Sequence, residues 1–168
     1  MNKSHITKSA IALAASALLL AACGKGGDKS AAVPADAIEV KIGHVAPLTG
    51  PIAHLGKDNE NGARLALEEI NKAGLTIDGK KVVLTLVPED DAEDPKTATQ
   101  VAQKLVDAKV VGVVGHLNSG TSIPASRIYS DAGIAQVSPS ATNPDYTKQG
   151  FKTTYRLVAT DAQQGPAL

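Results

Sequence analysis

Two hydroxyl-rich stretches carry most of the residues that could do chemistry. Gly115-His116-Leu117-Asn118-Ser119-Gly120-Thr121 follows the apolar run Val110–Val114, and Ser138-Pro139-Ser140-Ala141-Thr142 follows Ile134–Val137. A serine near a histidine is raw material for nucleophilic catalysis. The G-x-S-x-G elbow that exposes a nucleophile on a strand-to-helix turn is absent, however. Binding has the better physical basis. Where a strand feeds a helix, the first N–H groups have no helical acceptor and the helix dipole adds partial positive charge, so a carboxylate is favoured there. Ser119, Gly120 and Thr121 supply a hydroxyl and closely approachable amides, while the hydroxyls and carbonyls of Ser138–Thr142 suit an ammonium. The two loops are read as holders of the charged ends of an amino acid. Capping of the following helix is the simpler alternative for Ser119.

Other chemistries find little support. No G-x-G-x-x-G follows the first strand and no G-x-x-x-x-G-K-[ST] occurs, which disfavours nucleotides. His44, His54 and His116 lie on separate segments without H-x-x-x-H or H-E-x-x-H spacing, so no metal site is expected. His44 and His116, near strand ends, are expected to make structural hydrogen bonds. Glu89-Asp90-Asp91 with Glu93-Asp94 is read as a solvated loop plus a helix cap rather than a cation site. Seventeen Lys+Arg balance 17 Asp+Glu and aromatic residues make up 2%, which removes the basic footprint and the stacking platforms of a nucleic-acid binder. No cofactor and no enzymatic activity are expected.

These loops need elements to hold them. Glu39–Ala46 reads as a first strand and Lys57–Ala73 as a helix with Ala63, Ala66, Leu67, Ile70 and Ala73 on its apolar face, stopped at Gly74. Thr76–Lys80 is a turn with an Asp-Gly signal, and Lys81–Val87 a second strand. Asp94 caps a helix that starts at Pro95 and carries Ala98, Val101, Ala102, Leu105 and Val106 as a stripe. Val110–Val114 lacks polar alternation, as in a parallel strand covered on both faces. A third helix is expected over about 122–132, a fourth strand over Ile134–Val137 and a further one over Lys152–Ala159. This βαβαβαβ order predicts an α/β fold, a doubly wound parallel sheet with right-handed crossovers.

The N-terminus stands apart. Lys3 and Lys8 precede the apolar run Ile11–Ala22, which is too short to span a bilayer as a helix. Leu20-Ala21-Ala22-Cys23 resembles a bacterial lipobox, so residues 1–22 are read as a lipoprotein signal peptide and Cys23 as the lipidation site. Cys23 is the single cysteine, so no internal disulfide is possible. Residues 23–37, rich in Gly, Ala and Ser, read as a flexible linker. A periplasmic or other extracytoplasmic location follows, with the membrane reached through the lipid alone.

The stretches VAPLTGPIAHLGKDNENGARLALEEIN, PEDDAEDPKTATQVAQKLV, VVGHLNSGTSIPASRIYSDAGI, SPSATNP and DAQQGP resemble the leucine/isoleucine/valine-binding proteins of bacterial ABC importers. The resemblance covers nearly all of the chain after the signal. It implies a periplasmic-binding-protein-like fold of two α/β lobes that close on the ligand. Residues 38–160 would be part of the N-terminal lobe and 161–168 the start of the second. On this resemblance Ser119 binds the ligand carboxylate through its hydroxyl and amide. Thr142 gives its amide to the carboxylate and its hydroxyl to the ammonium, and the Ser140 carbonyl takes the ammonium. Ala141 belongs to the same ligand loop, and Leu117, Asn118 and Leu55 line the side-chain pocket. Leu55 stands where the family often has Tyr, and Glu93 and Asn118 stand where some members pair two cysteines. The chain is expected to be truncated just after the first crossover, near Asp161, without the opposing lobe. The expected function is the substrate-binding component of an ABC importer for branched-chain amino acids, with a permease and its ATPase subunits as partners. A ligand sensor of the same fold, for amides or other small molecules, is the alternative.

Overall fold

The computed structural model describes residues 33–167. The expected signal peptide and the lipidation site Cys23 lie outside the described residues. Of the expected linker only 33–37 are described, and there the Ala37 N–H donates to the Pro34 carbonyl at 3.0 Å.

The chain runs β1 (Ile38–Ala46), α1 (Ala53–Ala73), β2 (Thr76–Ile77), β3 (Lys80–Asp90), α2 (Pro95–Asp107), β4 (Gly112–Gly115), α3 (Ser119–Asp131), β5 (Ala135–Ser138), α4 (Asp145–Lys148), β6 (Thr154–Arg156) and α5 (Asp161–Gln164), with a 3-10 turn at Gly165–Ala167. The sheet order is β2-β3-β1-β4-β5-β6. All neighbours are parallel except β2 and β3, which form an antiparallel hairpin. Asp78 and Gly79, the two residues of its turn, both have positive φ, 50° and 76°. That is the twist a two-residue hairpin demands, so the Asp-Gly turn expected here also adds an antiparallel edge to the sheet.

The strand order fixes where a ligand can sit. The chain steps from β1 to β3 on one side, then returns past β1 to β4 on the other. The loops leaving β1 and β4 therefore diverge, and the crevice between them lies at the carboxyl edge of the sheet. Gly115 ends β4 at φ 134°, and a Cβ there would overlap the Val45 carbonyl. Only glycine lets the two strands approach so closely where their loops part.

Helices cover both faces. Val45, Leu105, Val113, Ala125 and Tyr129 join one core cluster, which places α2 and α3 on the same face of the sheet. Ala46, the next residue along β1, meets Gly56 of α1 on the opposite face. Leu105 is fully buried, and truncating such a side chain to Ala costs about 2–5 kcal/mol. Asp94 caps α2 as expected, accepting the Thr97 N–H at 2.6 Å, with Pro95 as the first helical residue.

Several boundaries differ from expectation. Helix α1 begins at Ala53, and its buried residues are Gly56, Glu60, Ala63 and Leu67. Ala66, Ile70 and Ala73 of the expected face are exposed. A buried glutamate breaks the apolar periodicity and is tolerated because Lys57 and Arg64 bond it at 2.8 and 2.6 Å. Strand β4 is shorter than Val110–Val114. Val113 faces the core but Val111 lies outside the strand and is 60% exposed. Helix α3 starts at Ser119 rather than near Ser122, and Pro124 sits inside it. Among the described residues no helix is long and apolar enough to cross a membrane.

Candidate ligand-binding site

The loops after β4 and β5 lie side by side and are joined by three hydrogen bonds. The Ser138 hydroxyl donates to the His116 carbonyl at 2.7 Å, and the Ser140 hydroxyl to the Leu117 carbonyl at 2.9 Å. The Asn143 N–H donates to the Ser119 hydroxyl oxygen at 3.2 Å. Ser138 also accepts the Ala141 N–H at 2.9 Å. The serines that looked available for a ligand therefore also hold the two loops in register.

Helix α3 opens with Asn118 as the cap residue, whose carbonyl accepts from the Thr121 and Ser122 N–H groups at 3.3 and 2.9 Å. Ser119 is the first helical residue, so it does not cap the helix. The Ser119 and Gly120 N–H groups precede the first helical acceptor and meet no acceptor among the described residues. These amides, with the helix dipole behind them, form an anion-accepting end. The Ser119 hydroxyl keeps its proton for donation. In the second loop the Thr142 N–H and hydroxyl and the Ser140 carbonyl are likewise without partners among the described residues, while the Thr142 carbonyl accepts the Asp161 N–H at 2.9 Å. Donors and an acceptor thus share one edge, as a zwitterion requires.

The remaining expected residues fall in different places. Leu55, in the first turn of α1, is 43% exposed. It stands close above the β1 end because Gly56 packs on the Pro47 carbonyl, where any Cβ would collide. Leu117 and Asn118 are half-buried. Asn118 is not a purely apolar wall, since its Nδ2 donates to Glu93 Oε1 at 3.3 Å. Ala141 is buried and its N–H is taken by Ser138. Its side chain underlies the loop, so only main-chain atoms of Ala141 are placed to meet a ligand.

Beneath the loops lies a buried polar chain. Asp91 Oδ2 is 2.8 Å from His116 Nδ1, and His116 Nε2 is 3.2 Å from the Tyr129 hydroxyl, all three residues being fully buried. Burial lowers the His116 pKa, and Asp91 offsets this only in part. Burial also pushes the Tyr129 hydroxyl well above its ordinary value, with the Asp91 charge adding to it. The imidazole is therefore neutral, with Nδ1–H donating to Asp91 and the Tyr129 hydroxyl donating to Nε2. The acidic loop expected to be solvated contributes a carboxylate to the interior instead. Asp90 beside it accepts the Leu48 N–H and the Thr49 hydroxyl at 2.8 and 2.6 Å, fastening the β1–α1 loop. His116 makes the structural bonds expected of it, whereas at His44 the Val114 main chain lies near the ring without a bond of good geometry. His44 is fully buried with neither ring nitrogen at hydrogen-bond geometry. Burial lowers its pKa, and the nearby Glu60 and the Val114 main chain offset this only in part. Among the described residues no group of three or more His, Cys, Asp or Glu is placed to hold a metal ion.

Comparison with known proteins places the fold in a family. The family description "Periplasmic binding protein" matches residues 39–168. The Leu/Ile/Val-binding protein homolog 1 of Brucella abortus is 45% identical over 127 residues, covering 76% of this chain and 33% of that protein. A leucine-, isoleucine-, valine-, threonine-, and alanine-binding protein of Pseudomonas aeruginosa is 43% identical over 148 residues, covering 88% of this chain and 38% of that protein. Among solved structures, an ABC transporter substrate-binding protein from Desulfitobacterium hafniense in complex with Leu superposes with a TM-score of 0.64 at 36% identity, covering 74% of this chain and 36% of that one. The chain thus spans about a third of the length of the curated relatives it matches. The chain belongs to the periplasmic binding protein family, as a member similar to its leucine/isoleucine/valine-binding proteins.

Proposed function

We propose that this chain supplies one jaw of an extracytoplasmic amino-acid receptor serving an ABC importer, with an aliphatic, branched-chain amino acid as its ligand. The ligand carboxylate meets the Ser119 and Gly120 amides, the Ser119 hydroxyl and the Thr142 amide. The ammonium meets the Ser140 carbonyl and the Thr142 hydroxyl, and the side chain lies against Leu55, Leu117 and Asn118. The observation that carries this reading is the set of unpaired main-chain donors at the start of α3, stitched to a second loop that offers an unpaired carbonyl. The protein does no chemistry on what it binds. Closure is a two-state equilibrium biased by ligand contacts in both jaws. The closed form docks on a permease whose ATPase subunits supply the energy. The lipid at Cys23 keeps the receptor at the membrane surface.

Micromolar affinity corresponds to about −8 kcal/mol, and much of that comes from the opposing jaw. Residues 24–168 alone therefore bind leucine weakly or not at all, and calorimetry showing micromolar binding to them would sink that part of the reading. Thermal-shift screening of the whole gene product against the twenty amino acids tests the rest. The largest shifts are expected with leucine, isoleucine and valine, and they disappear in Ser119→Ala. Stabilisation by none of the amino acids overturns the assignment.

A further inference from the structure

We propose that His116 is the positioning residue of this binding site: its imidazole and its carbonyl together fix the two loops whose free amides take the ligand. The inference rests on the proposed function for what those amides hold, but its structural content stands on separate bonds.

His116 is gripped at four points. Its Nδ1–H is fixed by Asp91, which follows β3, and its Nε2 by the Tyr129 hydroxyl on α3. Its carbonyl accepts the Ser122 hydroxyl from α3 at 3.1 Å and the Ser138 hydroxyl from the end of β5 at 2.7 Å. Ser138 in turn receives the Ala141 N–H. One residue thus joins the segments that follow β3, β4 and β5, and Ser119 lies only three residues further on. Asp91 is itself held, its N–H donating to the Ala46 carbonyl at 3.3 Å and its Oδ1 accepting the Glu93 N–H at 3.1 Å. The β1 end is thereby drawn into the same frame.

The polarity of the chain matters as well as its connectivity. A carboxylate can only accept, so Asp91 selects the Nδ1–H tautomer, which leaves Nε2 as acceptor for the Tyr129 hydroxyl. Burial disfavours the imidazolium, which would turn a donor toward the hydroxyl oxygen and break this order. The loops are consequently set before a ligand arrives, and a preformed site spends less binding energy on ordering itself.

The test compares two hydroxyl deletions in buried tyrosines. Tyr129→Phe removes only the donor to His116 Nε2. Tyr146→Phe removes a hydroxyl that donates to the Gln136 carbonyl at 3.4 Å and lies against the Ser138 main chain, but has no bond to His116 or to the Ser138 hydroxyl. Both preserve core volume. Nitrogen NMR of the wild-type imidazole is expected to show protonated Nδ1 and unprotonated Nε2. In Tyr129→Phe, hydrogen exchange at the Ala141 and Asn143 amides accelerates about tenfold or more. Leucine affinity of the whole gene product falls by about the same factor. In Tyr146→Phe both stay near wild type even where the melting temperature drops equally. The proposal is overturned if Tyr129→Phe leaves exchange unchanged, if Tyr146→Phe changes it equally, or if the wild-type ring is protonated at Nε2 alone. A wild-type protein that ignores leucine, but whose loops loosen in Tyr129→Phe, would refute the ligand assignment while supporting the role of His116.

Discussion

Asn118 Nδ2 donates to Glu93 Oε1 across 3.3 Å, tying the turn that enters α3 to the loop that enters α2. These are the positions at which some members of the resembled family pair two cysteines, so a polar bond spans the place of a covalent one. Glu93→Cys combined with Asn118→Cys is expected to oxidise to a disulfide. Closing a loop of this length stabilises the chain by about 3 kcal/mol. The melting temperature should rise under oxidising conditions and return on reduction. Asn118→Ala alone costs less than about 1 kcal/mol, since the bond is long and solvent-facing. Thiols that stay free under oxidant would count against this geometry.

Asp90 holds the β1–α1 loop by accepting the Leu48 N–H, the Thr49 hydroxyl and the Ala92 N–H. Partial burial works to raise its pKa, but these hydrogen bonds outweigh it and keep the carboxyl below the usual carboxylate range. A carboxylate depressed in the native state contributes stability above its unfolded pKa and loses it as pH falls through the folded value. Asp90→Asn is expected to cost about 2 kcal/mol near neutral pH and progressively less in acid. Urea unfolding at both ends of that range measures the difference.

His44 and His116 have lowered pKa values, set first by burial. Glu60 and Asp91 oppose that effect without reversing it. Below the ordinary histidine value of 6.5 the unfolded chain takes up protons that the native chain refuses, so stability declines with falling pH. His44→Leu should flatten this decline by up to one proton. It should also hold or raise stability at pH 7, because both ring nitrogens are buried without partners. A pH series of denaturant midpoints checks both outcomes, and an unchanged acid limb would remove His44 from the explanation.

Lys109 follows the end of α2 with φ 61°, a left-handed position that suits glycine after a helix. Lys109→Gly removes a cost of about 1 kcal/mol per left-handed residue, less the added entropy of the unfolded chain. A rise of a few degrees in melting temperature is expected, with no change in ligand response because the residue lies at the opposite edge of the sheet from the loops.

Much of the fold was legible because its signals are local. Asp94-Pro95 marks a helix start wherever it occurs, and the stripe from Ala98 through Leu105 buries as its spacing requires. Helix α1 was harder to read, since Glu60 lies on its buried face and its charge is resolved only by Lys57 and Arg64 one turn away. The loops were legible as strand ends rich in hydroxyls. Their mutual stitching was not, because Ser140 and Leu117 are 23 residues apart and nothing local pairs them. Asp91 was hidden for a related reason. In a run of acids each looks solvated, and only the placement of His116 shows which one turns inward.

Leu55 sits on the first crossover, and its residue shares no hydrogen bond with the β4–α3 or β5–α4 loop. On the proposed reading, the grip on a ligand's ends and the fit to its middle belong to mechanically separate parts. Exchange at position 55 can alter which side chain is welcomed while leaving the stitched loops intact. A receptor of this build can change its menu one residue at a time, without renegotiating how it recognises an amino acid as such.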